Sequence, residues 1–381
     1  MDITIQPAKL GGHVTIPPSK SMAHRLLICA AFSPKPITLI CPQTNDDITA
    51  TMECLQKLGA DIQPHENGFS VSPIQYLPTT AVLNCRESGS TLRFLLPIVG
   101  ALGIDATFLM EGRLPQRPLS PLWEEMERMG CTLTRPTANT IHCTGKLRPG
   151  FYRINGSETS QFISGLMMAM PLIEGDANLL IKGKVESIPY IEMTQYVLEW
   201  FQDARPRQLE VEGDWSSAAF WLAANRQGSD IAVEGLNPHS PQGDKAVADL
   251  LPQLAEHCTI SAADIPDLVP ILAVVAAAQK GAVFTDIRRL RLKESDRVAS
   301  VIAMLESLGG KAEASENTLT VYGSGLVGGT VDSFGDHRIA MAAAIAATIC
   351  KEPVTILGAE CVKKSYPGFW EDYCRLGGNY V

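Results

Sequence analysis

Six times along the chain a short polar turn leads directly into a helix-length run of small, apolar residues. The turns are Ser19-Lys20-Ser21, Ser88-Gly89-Ser90-Thr91, Thr159-Ser160-Gln161, Asp214-Trp215-Ser216-Ser217, Ile265-Pro266-Asp267 and Gly335-Asp336-His337-Arg338. Runs such as Leu268–Ala278 and Ile339–Cys350 have almost no polar residue on any face. A helix that is apolar all round has to be interior, so each of the six needs cover on every side. Their starts lie roughly 50–70 residues apart, the mark of one supersecondary unit copied along the chain.

A second repeat runs beside the first. Leu58-Gly59-Ala60, Met129-Gly130-Cys131, Leu308-Gly309-Gly310 and Leu376-Gly377-Gly378 each close an amphipathic helix with the glycine expected just past a helix end. Within 295–308, Val298, Val301, Ile302, Leu305 and Leu308 share one face. One unit therefore reads as strand, buried helix, strand, amphipathic helix and strand pair. The expected fold is α/β, with two domains of three βαβαββ-type repeats each, the helices inside the sheets as in an inside-out α/β barrel. Two repeats are shortened, because too few residues follow Phe201 and His257 to hold a strand pair. The break falls near Gly213, which gives residues 1–18 plus 214–381 as one domain and 19–213 as the other, with an active-site cleft expected between them.

Composition narrows the class. The chain has 381 residues, 45% of them hydrophobic and 19% charged, which is globular rather than disordered. A net charge of −9 disfavours nucleic acid and anionic membrane as partners, so any anion site is built locally against the overall field. The ten cysteines show neither a C-x-x-C pair nor metal-ligand spacing, as for free thiols in a reducing compartment. No apolar run is long enough to span a bilayer, and Met1-Asp2-Ile3-Thr4-Ile5 does not begin a signal peptide. A cytoplasmic monomer is expected. Against this background Lys20 and Arg25 stand out. A cation at a helix N-terminus is unfavourable unless an anionic ligand also sits there, cradled by backbone N–H groups.

Blocks in a fixed order now become informative: Pro18-Ser19-Lys20-Ser21 with Arg25, Ser88-Gly89-Ser90-Thr91-Leu92-Arg93, Gln116-Arg117-Pro118-Leu119, Gly156-Ser157 with Ser160-Gln161-Phe162, Glu212-Gly213-Asp214 with Ser216-Ser217-Ala218, Lys293-Glu294-Ser295-Asp296-Arg297 and Asp336-His337-Arg338. Over nearly its full length the chain resembles the 5-enolpyruvylshikimate-3-phosphate synthase family of enolpyruvyl transferases. The resemblance implies transfer of the enolpyruvyl group of phosphoenolpyruvate to the 5-hydroxyl of shikimate 3-phosphate, with release of phosphate, in the shikimate pathway of aromatic amino acid biosynthesis. It implies no metal and no organic cofactor. It places Lys20, Gly89, Arg117, Gln161, Arg297, Arg338 and Lys364 around phosphoenolpyruvate. Around shikimate 3-phosphate it places Ser21, Arg25, Thr159, Ser160, Gln161, Ser187, Tyr190, Asp267 and Lys293. Lys20, Asp267 and Glu294 are the expected catalytic groups, with Asp267 taking the hydroxyl proton and Glu294 with Lys20 delivering one to the methylene.

Arg93 reads as structural, and His13, His65, His142 and His239 as ordinary surface residues. Two positions depart from the family pattern: Glu87 stands where many members have Asn, and Ser90 where Thr is usual. Glu87 is expected to pair with Arg86 or Arg117, because an unpaired carboxylate in an anion site is disfavoured by both desolvation and repulsion. Two other readings remain open. One is the sibling transferase acting on UDP-N-acetylglucosamine, disfavoured because Lys20 is followed by Ser21 rather than Asn and no cysteine lies in 113–117. The other is a non-catalytic, shortened relative that only binds small anions.

Overall fold

The computed structural model describes residues 1–202 and 208–381. The chain divides into two compact units, Pro18–Val211 and Met1–Pro17 with Glu212–Val381. Each has its own apolar core.

In chain order, β1 (Ile3–Ile5) and β2 (Gly11–Thr15) precede the first repeat, α1 (Lys20–Ala31), β3 (Ile37–Ile40), α2 (Asp46–Lys57), β4 (Asp61–His65) and β5 (Gly68–Ser72). The second is β6 (Thr80–Asn84), α3 (Gly89–Leu102), β7 (Asp105–Leu109), α4 (Leu122–Arg128), β8 (Cys131–Thr134) and β9 (Thr140–Gly145). The third is β10 (Gly150–Asn155), α5 (Ser160–Ala169), β11 (Ala177–Lys182), α6 (Ile188–Gln202) and β12 (Gln208–Glu210). The fourth is α7 (Trp215–Arg226), β13 (Asp230–Glu234) and α8 (Val247–Gln253). The fifth is β14 (Cys258–Ser261), α9 (Val269–Ala278), β15 (Gly281–Thr285), α10 (Arg297–Ser307), β16 (Lys311–Ala314) and β17 (Thr318–Tyr322). The sixth is β18 (Gly329–Asp332), α11 (His337–Ala346), β19 (Val354–Leu357) and α12 (Phe369–Arg375).

Each repeat contributes a small sheet. Three have four strands, β12-β3-β5-β4, β6-β7-β9-β8 and β14-β15-β17-β16. In each, a parallel pair continues into an antiparallel hairpin; β6-β7 and β14-β15 are the two strands of one βαβ unit, whereas in the first sheet the strand parallel to β3 is β12, from the end of the third repeat. Among the described residues the third and fourth repeats form only the parallel pairs β10-β11 and β13-β2. Part of the stretch after Phe201, which the sequence reading takes to lack a strand pair, falls on 203–207 and lies outside the described residues; from Gln208 the chain is β12, paired with β3. The sixth sheet is β18-β19 with β1 antiparallel at its edge. Thus β2 belongs with the fourth repeat although it precedes the first, and the chain changes units at Pro17/Pro18 and at Val211/Glu212.

The apolar runs become the helices inside these sheets. Val269–Ala277 of α9 and Ile339–Ala346 of α11 are buried throughout, and α3 packs on α5 as α9 does on α11. In α10, Val298, Val301, Met304 and Leu305 are buried and Glu306 is exposed, the face set by the spacing. Gly59, Gly130, Gly309 and Gly377 all take positive φ at the ends of the amphipathic helices. Five buried helices start on a side-chain cap: Ser19, Ser88, Thr159, Asp214 and Asp336 accept from backbone N–H groups two or three residues on. Only α9 has no side-chain cap among these six, and the acid at its start, Asp267, is turned elsewhere.

Candidate active site

In the unit Pro18–Val211 the site residues gather at the starts of α1, α3, α5 and α6. Arg25 lies one turn into α1, 2% exposed. Its Nε donates to Thr194 Oγ1 at 2.7 Å, Nη1 to the Ser21 carbonyl at 2.8 Å, and Nη2 to the Tyr190 carbonyl at 2.9 Å and to Ser164 Oγ at 3.2 Å. Its guanidinium lies over Phe94, 5.0 Å from the ring centroid. All of these partners are neutral. Burial pulls the Arg25 pKa down to about 10, so a full charge remains, with no carboxylate on it among the described residues. Thr194, which sequence reasoning missed, ties α6 to this guanidinium. Ser187, just ahead of α6, is buried at a positive φ of 57°, a conformation an ordinary residue holds only when its surroundings enforce it.

Lys20 opens α1 with Nζ 3.0 Å from Asp47 Oδ2, both largely buried. Asp47 has only the sequence look of a first-turn acid of α2, so no spacing rule reveals this pairing. Gly89 opens α3, and a Cβ there would lie 2.7 Å from Arg117 Nη1. Glycine therefore allows the guanidinium to lie against the helix start, and Arg117 follows the 3-10 turn Leu114–Gln116. Gln161 is fixed from both ends of its amide: Oε1 accepts from Arg93 Nη1 at 2.6 Å and Nε2 donates to Ser90 Oγ at 3.0 Å. Arg93 thus orients a site residue, and Ser90 keeps the hydroxyl needed for it. Thr159 caps α5 at the Gln161 N–H, beside Ser160. Behind these residues runs a buried polar chain, from His24 Nδ1 to Thr51 Oγ1, Thr91 Oγ1 and Ser88 Oγ, each step 2.7 Å. Burial, with Lys20 and Arg25 nearby, holds His24 well below its ordinary pKa and therefore neutral.

Of the two arginines expected as partners of Glu87, Arg86 gives its Nη2 to both carboxylate oxygens of Glu53 at 2.8 Å, and the Glu87 side chain packs against Gly112.

In the other unit Arg297, 1% exposed, is the hub. Its Nη1 is 2.7 Å from Asp267 Oδ1, its Nη2 2.7 Å from Glu294 Oε2, and its Nε 3.0 Å from Asp336 Oδ2. Asp336 also caps α11 and accepts from Ser295 Oγ at 3.0 Å. Asp267 receives Lys293 Nζ at 3.4 Å and Arg338 Nη2 at 2.9 Å as well. Burial pushes the Asp267 carboxyl up, but Arg338, Lys293 and Arg297 outweigh it and hold the group well below the usual carboxylate range. Burial brings Lys293 down to about 8 in spite of Asp267. Arg338 is 3% exposed, and its Nε and Nη1 are buried without a hydrogen-bond partner. Lys364, at the end of the 3-10 turn Ala359–Lys364, donates to the Gly335 carbonyl at 2.9 Å, next to the start of α11.

Sequence reasoning missed two further acids here. Asp336 looks like a cap and is also a counter-ion. Asp244 is buried, accepts a hydrogen bond from Ser216 Oγ, and is raised to about 7 by burial and by the Asp267 charge, against Arg338. Among the described residues no group of three His, Cys, Asp or Glu is placed to hold a metal, and no helix is long and apolar enough to cross a membrane.

The family model described as EPSP synthase (3-phosphoshikimate 1-carboxyvinyltransferase) matches residues 5–264 and 255–373. The chain is 36% identical over 414 residues to a 3-phosphoshikimate 1-carboxyvinyltransferase of Clostridium kluyveri, covering 99% of this chain and 97% of that one. It is 37% identical to one from Clostridium perfringens (99% and 98%) and 34% identical to one from Clostridioides difficile (99% and 97%). The EPSP synthase structure from Acinetobacter baumannii superposes with a TM-score of 0.79 at 22% identity, covering 100% of this chain and 99% of the other, a likeness of fold. By this agreement of family model, relatives and fold, the chain belongs to the EPSP synthase family of 3-phosphoshikimate 1-carboxyvinyltransferases.

Proposed function

We propose that the residues of both units act on one pair of substrates, phosphoenolpyruvate and shikimate 3-phosphate, and transfer the enolpyruvyl group to the 5-hydroxyl with release of phosphate. The observation that carries this reading is Arg338: two of its N–H groups are buried without an acceptor while its third nitrogen holds Asp267. A buried donor left unsatisfied costs about 1–3 kcal/mol, which an incoming carboxylate or phosphate removes. Arg25 supports it, as a buried cation with only neutral partners. In this reading Arg338, Lys364, Arg117, Gln161, Lys20 and the backbone at Gly89 hold phosphoenolpyruvate. Arg297, already shared by three carboxylates, chiefly orients Asp267 and Glu294. Ser21, Arg25, Thr159, Ser160, Ser187, Tyr190 and Lys293 hold shikimate 3-phosphate.

Asp267 is a weak base while three cations surround it. It becomes a stronger one when the substrate anions take up part of the charge of Arg338 and Lys293, and it then accepts the 5-hydroxyl proton. Glu294 and Lys20 deliver a proton to the methylene carbon as the 5-oxygen bonds to the adjacent carbon, and they take a proton back from the resulting methyl group as the bond to phosphate breaks, which restores the enolpyruvyl double bond. Cations on both sides stabilise the departing phosphate. One chain supplies every residue named, so the catalytic unit is a single copy. The interior helices with sheets outside them support an inside-out α/β barrel for each unit. The reaction needs no metal or organic cofactor and, with no membrane or nucleic-acid partner, belongs in the cytoplasm.

The test is phosphate release with phosphoenolpyruvate and, separately, shikimate 3-phosphate or UDP-N-acetylglucosamine as acceptor. Release is expected only with the first, and Lys20→Met should abolish it while leaving the far-UV circular dichroism unchanged. Binding without release would mark the chain as an anion binder, and release with the second acceptor would assign it to the sibling reaction.

A further inference from the structure

The Lys20–Asp47 ion pair has a second rung behind it. Lys20 and His24 lie one turn apart on α1, and Asp47 and Thr51 one turn apart on α2, so each pair shares a helix face. The outer rung is the ion pair at 3.0 Å, and the inner rung is His24 Nδ1 to Thr51 Oγ1 at 2.7 Å. From Thr51 the contacts pass to Thr91 Oγ1 of α3 and on to Ser88 Oγ, which caps that helix immediately before Gly89. His24, Thr51, Thr91 and Ser88 are all 0% exposed. One buried chain thus joins the starts of the three helices that carry Lys20, its partner Asp47, and Gly89.

Counting donors gives the chain a direction. Ser88 Oγ accepts twice from Thr91, from its N–H at 3.2 Å and from its hydroxyl at 2.7 Å. The Thr91 hydrogen is used there, so Thr51 is the donor in the Thr51–Thr91 contact. Thr51 then has no hydrogen left for His24, and the ring has to donate from Nδ1. The imidazole is therefore the neutral Nδ1–H tautomer, and its Nε2 is a lone pair, buried without a hydrogen-bond partner among the described residues. A second proton would place a buried charge beside Lys20 and Arg25, which agrees with the direction in which His24 is held. A buried ring with one nitrogen unsatisfied is a costly choice for packing alone, where an apolar side chain of similar size carries no such cost. What the histidine adds over an apolar residue is the Nδ1–H at the head of the chain.

We propose that His24 is a positioning residue for phosphoenolpyruvate: its Nδ1–H orders the hydroxyl chain Thr51-Thr91-Ser88, which fixes the start of α3 at Gly89 against Lys20 and Asp47. The inference rests on the reading of Lys20 and Gly89 as phosphoenolpyruvate-binding groups. The first test needs no turnover. Ring-nitrogen NMR of the full chain with isotope-labelled histidine, assigned by difference against His24→Asn, is expected to show His24 neutral with its proton on Nδ1. A proton on Nε2, or a charged ring at neutral pH, overturns the proposal. The second test is kinetic. His24→Leu should raise the KM for phosphoenolpyruvate about fivefold, the scale of one hydrogen bond's net contribution, and change that for shikimate 3-phosphate little. His24→Asn, whose amide N–H can stand in for Nδ1–H, should restore it. Thr51→Val breaks the next link and should give the same rise, and the two changes together should cost no more than either alone. Equal rises for both substrates, additive rises, or no recovery in His24→Asn would reduce His24 to packing and overturn the proposal. If His24→Leu does not fold, Thr51→Val with Thr51→Ser as its rescue makes the same comparison. A wild-type chain that releases no phosphate would overturn the proposed reaction, and the tautomer, read on the same sample, would still decide the chain.

Discussion

Arg297 and Arg338 carry the same side chain, both lie in the first turn of a helix, and both touch Asp267, yet their hydrogen-bonding groups are satisfied to different degrees. Arg297 meets three carboxylates, while Arg338 meets one and keeps two buried N–H groups unsatisfied. Local sequence separates them only in part: Glu294 lies three residues before Arg297, but the other partners, Asp267 and Asp336, come from distant segments of the chain. Lys293 gives a pH prediction. With its pKa lowered to about 8, it is charged at neutral pH and loses its proton above that. Since kcat/KM reports the free enzyme, kcat/KM for shikimate 3-phosphate should fall above about pH 8, and Lys293→Met should be low and flat there. The linkage sign is opposite for stability. Between about 8 and the ordinary lysine pKa the unfolded chain holds more protons, so this group's contribution to stability rises with pH in that window. A wild-type alkaline limb that survives in Lys293→Met would assign it to another group. Gly89 gives a steric one. A Cβ at 2.7 Å from Arg117 Nη1 must move that guanidinium, so Gly89→Ala should raise the KM for phosphoenolpyruvate several-fold more than that for shikimate 3-phosphate. Steady-state kinetics with each substrate varied in turn would decide it.

At the level of the element, capping and periodicity made the buried helices legible in advance. Ser19, Ser88, Thr159, Asp214 and Asp336 cap as their residue types suggest, because the interaction spans three residues and needs no tertiary help. The exception is the start of α9, where Asp267 leaves the helix uncapped and turns to the cations. Caps that look alike in sequence should therefore differ in weight. Ser19→Ala loses one long hydrogen bond to the Met22 N–H and should cost about 1 kcal/mol. Asp336→Ala removes a cap and leaves the buried Arg297 short of a counter-ion, and should cost about 3–5 kcal/mol. Urea denaturation of the two variants measures the difference, and equal losses would mean that Arg297 is satisfied without Asp336.

For the whole molecule, the two apolar cores are separate. Calorimetry of the free chain is therefore expected to show two overlapping transitions, with a calorimetric enthalpy above the van't Hoff value. Because the proposed shikimate 3-phosphate ligands come from both units, saturating ligand should raise both transitions and draw them together. A single two-state transition without ligand would show that the cores unfold as one. The recurrence of the capped helices, their burial and the family could be read from the sequence, because each rests on local periodicity, on caps or on blocks in order. Tertiary structure alone decided that Lys20 meets Asp47, that Arg86 goes to Glu53, and that Asp244 sits buried near Arg338. A charge partner or a strand neighbour is chosen by which elements pack together, and no pattern within three or four residues records that choice.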